Sequence, residues 1–596
     1  MNNNDYQNEI LKLKKQVERL KKSVKKQKYG LVWMDVPEAF EDDVENKLPV
    51  LKEVPELAIK NNDGKPTHIL IEGDNYHALT CLNYTHKENI DVIYIDPPYN
   101  TGSDGFRYKD KRVLEKFPDG SDVPKDHPLR HSYWLSFISK RLELARNLLK
   151  RDGFIAISID DNEFSQLKLL CDSIFGESNL METFHIQVRY ASKSLNEKDD
   201  FQKLIEYVLI YAKDKKQFSP QKLVEEYDLG KFEFIVEELK KGESIELGGK
   251  KVEIFKKGEY RIKKVKGGGI NYLKATWASG SVLKGNTSGK FFHNYIEERK
   301  GIDGVGTLYK VEGIGEDGIG YRYFTGPKRE NATKGQFYSG VPLSRRQDIE
   351  NGGTSLKYKP IVNYYDFAGD FGNIRHEGGV GFRGGKKPIK LLKLILNLHS
   401  NKDAKVLDFF AGSGSTGHAI LELNEEDNGN RQSIIVTNNE DAIMSDVCYP
   451  RIKNIIEGYS GNKGLGNSLK YYKTSFVGQR NILNVKDEDK ILLAHNVGEL
   501  LALSENTLDL INKDDWMQLY ENNDKFTAIY FREEMTNFEK FKSTVKKLDK
   551  PVSIYVFSWG DNEFPDDFAE IKDAKVKTIP APILEIYKQI YNLNTK

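Results

Sequence analysis

The residues of this 596-residue chain best suited to chemistry are Asp96, Pro97, Pro98 and Tyr99. They end the apolar run Asp91-Val92-Ile93-Tyr94-Ile95, whose β-branched and aromatic residues suit a buried central strand of a parallel sheet. Two consecutive prolines cannot donate to a ladder, so the chain must leave the sheet at Asp96. Open α/β sheets bind ligands at the carboxyl ends of their strands. An acceptor carboxylate, free carbonyls and an aromatic face meeting there suit an exocyclic amine on a flat ring. Asp96 and the Pro97 carbonyl can each accept one amino N–H, while Tyr99 stacks on a base turned out of its helix.

A second constellation lies at Lys405-Val406-Leu407-Asp408-Phe409-Phe410-Ala411-Gly412-Ser413-Gly414-Ser415-Thr416-Gly417, which reads as a strand, a glycine loop and a helix start. Gly412, Gly414 and Gly417 satisfy Gly-x-Gly-x-x-Gly, and Glu440 follows the strand Ser433 to Thr437, so spacing alone fits both a dinucleotide and S-adenosylmethionine. The glycines let backbone approach a ligand, the helix N-terminus attracts a carboxylate, and Glu440 can accept from both ribose hydroxyls. The loop lacks the Gly-Lys-Ser/Thr ending of a phosphate-binding loop, which argues against an ATPase. Upstream, Thr67 to Glu72 reads as a strand and Tyr76 to Leu82 as a helix, with Asp74 between them either facing the cofactor or capping the helix.

Asp-Pro-Pro-Tyr resembles the catalytic signature of amino-group DNA methyltransferases, in which a leading aspartate is usual for N6-adenine enzymes and serine more frequent in N4-cytosine enzymes. Leu70 to Asn75, Asn100-Thr101-Gly102, the order from Trp134 to Glu163, Phe382 to Pro388, Val447 to Ile452 and Leu469 to Lys473 are similar to the beta class, specifically the modification (Mod) subunits of type III restriction-modification systems. Lys386 stands where that family usually has the first proline of Pro-Lys-Pro. The resemblance implies an α/β, permuted Rossmann-like methyltransferase fold with a mostly parallel sheet. It implies Asp96, Pro97, Pro98 and Tyr99 as catalytic residues, and S-adenosylmethionine held by Asp74, Asp408, Phe410, Ala411, Gly412, Ser413, Gly414 and Glu440. Double-stranded DNA, a second copy of the chain and a restriction (Res) subunit are the implied partners. A stand-alone adenine enzyme and an N4-cytosine enzyme remain as alternatives. A nicotinamide-dependent oxidoreductase and a DNA-binding adaptor with a decayed site are the rivals from other classes.

Composition narrows the class. Lys+Arg 90 against Asp+Glu 89 rules out a uniformly basic nucleic-acid binder, so a DNA footprint must be a local patch. Cys81, Cys171 and Cys448 are far apart, lack metal-ligand spacing and do not follow proline, which speaks against zinc, against disulfides and against C5-cytosine methylation. With no signal peptide and no run long enough to span a bilayer, a cytoplasmic protein is expected.

These residues need a scaffold to position them. Ile10, Leu13, Val17, Leu20 and Val24 alternate spacings of three and four, so residues 1–28 are expected to form a coiled-coil dimer contact. Residues 29–215 read as the catalytic half of the methyltransferase domain and 346–475 as its cofactor half. His131 to Leu149 is expected as a helix, Phe154 to Ile159 as a strand, Asp160 with Glu163 as a capping-box helix start, and Glu206 to Lys213 as a strand. Residues 216–345 lose this alternation, and from Lys250 to Lys290 their many basic residues face only Glu253 and Glu259. Interleaved Tyr260, Tyr272, Trp277, Phe291 and Phe292 with Gly267-Gly268-Gly269 suggest loops along phosphates and bases, with Lys263, Lys264, Lys266, Lys274 and Trp277 as DNA contacts. Residues 476–596 read as a small α/β domain. There Pro565-Asp566 and Glu570-Ile571-Lys572 mimic a nuclease motif that one amphipathic helix explains.

Overall fold

The computed structural model describes residues 14–15, 31, 33, 48–101, 127–193, 200–278, 287–315, 317–351, 355–382, 386–477, 498–531, 537–557 and 565–579. The chain divides into two compact units, one of residues 222–361 and one made of the segments on either side. The heptad positions Ile10, Leu13, Val17, Leu20 and Val24 lie outside the described residues.

The larger unit is built on a ten-stranded sheet. Its strands are β1 Leu48–Glu53, β2 Thr67–Glu72, β3 Ile90–Ile95, β4 Leu149–Ile159, β5 Leu180–Gln187, β6 Ile205–Ala212, β7 Tyr364–Asp366, β8 Lys405–Asp408, β9 Gln432–Thr437 and β10 Ser468–Val477. In space they run β1-β10-β2-β9-β8-β3-β4-β6-β5-β7. From β10 to β4 every pairing is parallel, and only β1 and β6 run against their neighbours. Among its helices are α1 Asn75–Thr85, α2 Ser132–Leu148, α3 Phe164–Cys171, α4 Ile389–Leu396, α5 Ser415–Asp427 and α6 Tyr449–Glu457.

Side-chain alternation along the strands makes three layers. Ile69, Ile71, Ile93, Ile95, Ile434 and Val436 face α1, α2 and α3, whereas Leu70, Ile435 and Leu469 face α5 and α6. Each such side chain, fully removed from water, stabilises the fold by roughly 1.5–3 kcal/mol before entropy is counted. β3 is buried at every residue, so its polar groups need partners inside the sheet. Asp91 accepts from the Lys405 amide at 2.8 Å and from Lys150 Nζ at 2.8 Å, which ties β3 to β8 and β4. The Tyr94 hydroxyl lies 2.8 Å from Ser158 Oγ on β4.

The smaller unit is an antiparallel β domain. Its six-stranded sheet orders Lys274–Trp277, Gln336–Ser339, Tyr321–Thr325, Leu308–Glu312, Lys250–Phe255 and Glu243–Leu247. Strands Leu223–Glu226 and Leu356–Lys359 pair with each other and close the unit on itself. The compact unit therefore spans 222–361 rather than the expected 216–345, because its last strand returns to pair with its first. The segment expected as loops is mostly strand, and Phe291 and Phe292 lie in the core with Val252, Val311 and Phe324 instead of facing bases. Both phenylalanines belong to a helical segment, Thr287–Phe291 continuing into Phe292–Ile296, that packs them against the six-stranded sheet.

Near the carboxyl end, strands Asp509–Lys513, Met517–Glu521, Phe526–Phe531, Val552–Phe557 and Ala574–Val576 form a five-stranded mixed sheet with a helix at Phe538–Val545. The nuclease-like stretch forms a single 3-10 turn, Pro565–Phe568, that leads into the Ala574–Val576 strand, so a turn and not an amphipathic helix explains it.

Gly417 sits where α5 meets the sheet, and a Cβ there would press on Ile435 Cδ1 and come within 2.8 Å of Ile452 Cδ1. Gly417→Ala is expected to lower unfolding free energy by roughly 1–3 kcal/mol, as overpacking does. Urea titration checks this, and an unchanged midpoint would mean that the two isoleucine tips rotate away without strain.

Candidate active site

Four adjacent parallel strands, β2, β9, β8 and β3, stop together, and the chain segments that leave them line one cleft. Gly73, Asp74 and Asn75 line it after β2, Thr437, Asn438 and Glu440 after β9, Phe409, Phe410 and Gly412 after β8, and Asp96 and Pro98 after β3. Phe137 of α2 and Ile443 complete the wall. The mix of aromatic and carboxylate walls suits a ligand with both an apolar ring and polar groups.

On the β3 side, Pro97 and Pro98 are buried while Asp96 and Tyr99 are half-buried. Trp134 of α2, itself fully buried, donates its indole N–H to the Pro98 carbonyl at 2.7 Å and fixes the path of the loop. Asn100 follows with a left-handed φ of 60°. Its Nδ2 donates to Glu163 Oε1 at 2.6 Å, and His131 Nδ1 lies 2.8 Å from the same oxygen. Glu163 is therefore not the capping-box residue expected from its spacing to Asp160. No side chain caps α3, and the Glu163 carboxylate is fully buried and turned toward the loop after β3.

Asp96 has two ionisable neighbours that the sequence reading did not single out. Lys387 Nζ lies 3.0 Å from Asp96 Oδ1 and 3.3 Å from Glu206 Oε2, and 4.8 Å from the centroid of the Tyr99 ring. The Tyr99 hydroxyl donates to Glu206 Oε2 at 3.2 Å. Burial raises the Asp96 carboxyl above its ordinary value, Lys387 opposes that shift and Glu206 adds to it. Burial alone would depress Lys387, but the two carboxylates push it up to about 12. The signals for both residues were present as isolated charges: Glu206 near the start of an apolar strand, and Lys387 in the Lys-Pro pair that opens α4.

On the β2 side, the capping alternative for Asp74 holds, and the residue also lines the cleft. Its Oδ1 accepts from the Tyr76 amide at 2.8 Å as the N-cap of α1. Arg141 lies 3.4 Å from Asp74, packs 3.8 Å from the centroid of Phe137 and donates to Asn75 Oδ1. Phe410, Gly412 and Glu440 also line the cleft, whereas Asp408, Ala411, Ser413 and Gly414 are not among its lining residues. Asp408 instead turns into the loop, accepting from the Phe410 amide at 2.9 Å and the Thr416 hydroxyl at 2.5 Å. Burial pushes its carboxyl up to about 7 against those hydrogen bonds. Gly412 has φ 49° and Gly414 φ 76°, and a Cβ at Gly414 would lie 3.0 Å from Cys448 Sγ. Glu440 is exposed at the rim, on a 3-10 turn whose Asp441 and Ala442 both have positive φ. Non-glycine residues in that region cost energy and cluster at ligand sites.

In the smaller unit, the basic patch is partly neutralised. Lys263 pairs with Glu237 at 2.5 Å and Lys264 with Glu233 at 3.0 Å, both acids lying earlier in the chain than the run that was weighed for charge. The first of these pairs spans the strands Phe234–Glu238 and Tyr260–Lys264. Among the described residues no ion pair holds Lys266, which is exposed; Lys274 is half-buried and Trp277 is 60% exposed. No cluster of His, Cys, Asp and Glu suited to a metal occurs among the described residues, and Cys81, Cys171 and Cys448 are buried free thiols. No described helix is long and apolar enough to cross a membrane.

A family model for DNA methylases of the N6/N4 type matches residues 90–445, and the chain belongs to that family. Among its relatives is the Mod subunit of the type III restriction-modification enzyme StyLTI from Salmonella typhimurium (strain LT2), 31% identical over 492 residues, 76% of this chain and 67% of that protein. The EcoPI Mod subunit of Escherichia phage P1 is 30% identical over 404 residues, 63% of this chain and 58% of its own length. The crystal structure of the M1.HpyAVI–SAM complex matches with a TM-score of 0.26 and 12% identity, over 65% of this chain and 98% of that one.

The Glu163 hydrogen bond raises His131 above the usual imidazole value. A folded-state value above the unfolded one stabilises the protein below the unfolded value of about 6.5 and ceases to do so as pH rises through the folded value. His131→Gln should therefore lose more stability, relative to the parent protein, near pH 6 than near pH 9. Paired thermal unfolding curves check this, and a difference that does not vary with pH would mean that the pair is not charged.

Proposed function

We propose that this protein is an S-adenosylmethionine-dependent DNA methyltransferase that modifies the N6 amino group of adenine in double-stranded DNA, and that it is the modification and recognition subunit of a type III restriction-modification system. One observation carries the chemistry: Asp96 and the glycine loop leave neighbouring parallel strands and wall the same cleft, so methyl acceptor and methyl donor meet on one sheet edge. The Mod relatives support the type III assignment and a Res partner. The heptad pattern from Ile10 to Val24 supports a homodimer.

The cleft fits the donor. Gly412 bares backbone to it, α5 starts beside it, and the rim carboxylate of Glu440 suits ribose hydroxyls, with Asp74 on the turn after the neighbouring strand β2. Bound S-adenosylmethionine supplies a methyl group made electrophilic by its sulfonium. Asp408, Ala411, Ser413 and Gly414 shape the loop that receives it.

An adenine amine is a poor nucleophile because its lone pair is shared with the ring. Hydrogen bonds from its two N–H groups to Asp96 and to the Pro97 carbonyl favour a pyramidal nitrogen whose lone pair points into the cleft. When nitrogen gains a fourth bond, the displaced proton passes to the Asp96 carboxylate. Tyr99 stacks on the base and offsets part of the few kcal/mol that extrusion from the duplex costs. Sequence choice falls to the 222–361 unit, whose exposed Trp277 and Lys266 suit bases and phosphates.

Sequencing modified DNA from cells that express the protein tests the assignment, and methylated cytosine in place of adenine would overturn it. Asp96→Ala should leave DNA affinity within a few-fold while the rate falls about a hundredfold or more, as expected for an interaction made chiefly in the transition state. Wild-type turnover by that variant would remove Asp96 from the chemistry. Neutralising Lys263, Lys264 and Lys266 together should flatten the plot of log affinity against log salt by about one unit and not about three, because two of the three already have carboxylate partners. A slope shallower by about three units would mean that both pairs open onto DNA.

A further inference from the structure

Lys387 is 9% exposed at its side chain, yet it is charged and faces the reacting end of the cleft. A buried ammonium is expensive unless it is paired, and this one has two carboxylates where one would neutralise it. Its contacts coincide with those that the target base needs. It sits at hydrogen-bonding distance from Asp96 Oδ1, which is the acceptor for the amine, and over the Tyr99 ring, which is the stacking surface for the base. That Asp96 oxygen is buried, and the ammonium faces it at 3.0 Å.

Resting on the reading of this cleft as an amino methyltransferase site, we propose that Lys387 is a positioning residue: its ammonium holds the place on Asp96 and Tyr99 that the target amine and ring take, and moves over to Glu206 when the base enters. Glu206 makes the exchange inexpensive, because the ammonium keeps one full carboxylate partner throughout. Asp96 in turn never faces the apolar wall alone, since the amine's N–H replaces the ammonium's. Between turnovers Lys387 opposes the burial and the Glu206 carboxylate that disfavour the charge on Asp96. The Tyr99 hydroxyl acts on the same side as Lys387, Tyr94 on the same strand is held neutral by burial, and Asp408 on the neighbouring strand adds to the repulsion. Without the cation, burial and Glu206 would favour a protonated Asp96, a form that cannot accept both the amine's hydrogen bond and its proton.

The test uses the full-length protein and a duplex carrying its methylation site, read first by sequencing DNA from expressing cells, with 2-aminopurine at the target position to report base entry by fluorescence. Lys387→Met should admit the base at least as well as the parent protein. Its single-turnover rate near pH 7 should nevertheless fall about tenfold or more, and the rising limb of its pH–rate profile should move to higher pH. Lys387→Arg keeps the charge and should keep the limb in place. Glu206→Gln leaves the ammonium one carboxylate, Asp96, and should weaken base entry several-fold; in Lys387→Met/Glu206→Gln that weakening should vanish. The proposal is overturned by a Lys387→Met protein with the parent's rate and limb. It is equally overturned by a rate loss equal at every pH with a lowered unfolding midpoint, which marks a mere prop, or by a Glu206→Gln effect that persists without Lys387. A parent protein that leaves adenine unmethylated would instead overturn the functional reading beneath it.

Discussion

A carboxylate must stay usable at the end of a strand that is buried along its whole length, and much of the site answers to that constraint. Burial drives Asp96 toward its neutral form, and Lys387 is the opposing charge. A buried lysine brings its own desolvation cost, which Glu206 offsets, and Glu206 in turn accepts from the Tyr99 hydroxyl. The stiffness of Pro97-Pro98 would be of little use if the loop could swing. Trp134 and Glu163 hold it at the Pro98 carbonyl and at Asn100.

The cleft itself is a consequence of strand direction. Parallel neighbours deliver their carboxyl ends to the same edge, so the turns after β2, β9, β8 and β3 crowd together there. β3 precedes β8 in the chain but pairs directly with it, so acceptor loop and glycine loop belong to adjacent strands although the 222–361 unit separates them in sequence. The glycine loop is held from behind by Arg451, whose buried guanidinium donates to Ser415 Oγ at 2.7 Å, Ser413 Oγ at 3.2 Å and Glu377 Oε2 at 2.9 Å. Lys386, close by, donates to the carbonyls of Ile374, Arg375, Glu377 and Val380, and burial together with Arg451 pushes its ammonium down to about 8. The residue that departs from the family's Pro-Lys-Pro pattern thus holds together the turn that supplies Glu377.

In the 222–361 unit, charge and exposure separate. Lys251 with Glu312 and Lys310 with Glu238 repeat the pairing seen at Lys263 and Lys264, so the surface presents dipolar pairs more than a uniform positive field. The exposed pairs among these add little to stability.

What the sequence by itself determined is local. The apolar run into Asp96-Pro97-Pro98-Tyr99, the strand and glycine loop from Lys405 to Gly417, and the helix from Ser132 to Leu148 follow from periodicity and stop signals within a dozen or so residues, and each was legible with its ends nearly right. Only the tertiary structure decided which side chains act on one another. Glu163 had the spacing of a helix cap and proved to be a buried acceptor for Asn100 and His131; Phe291 and Phe292 looked like base contacts and lie in a core; Lys387 and Glu206 were unremarked charges until the sheet set them against Asp96. Backbone preference is written in neighbouring residues. The partner of a buried charge comes from a strand or helix far along the chain, and folding selects it by the cost of leaving that charge alone.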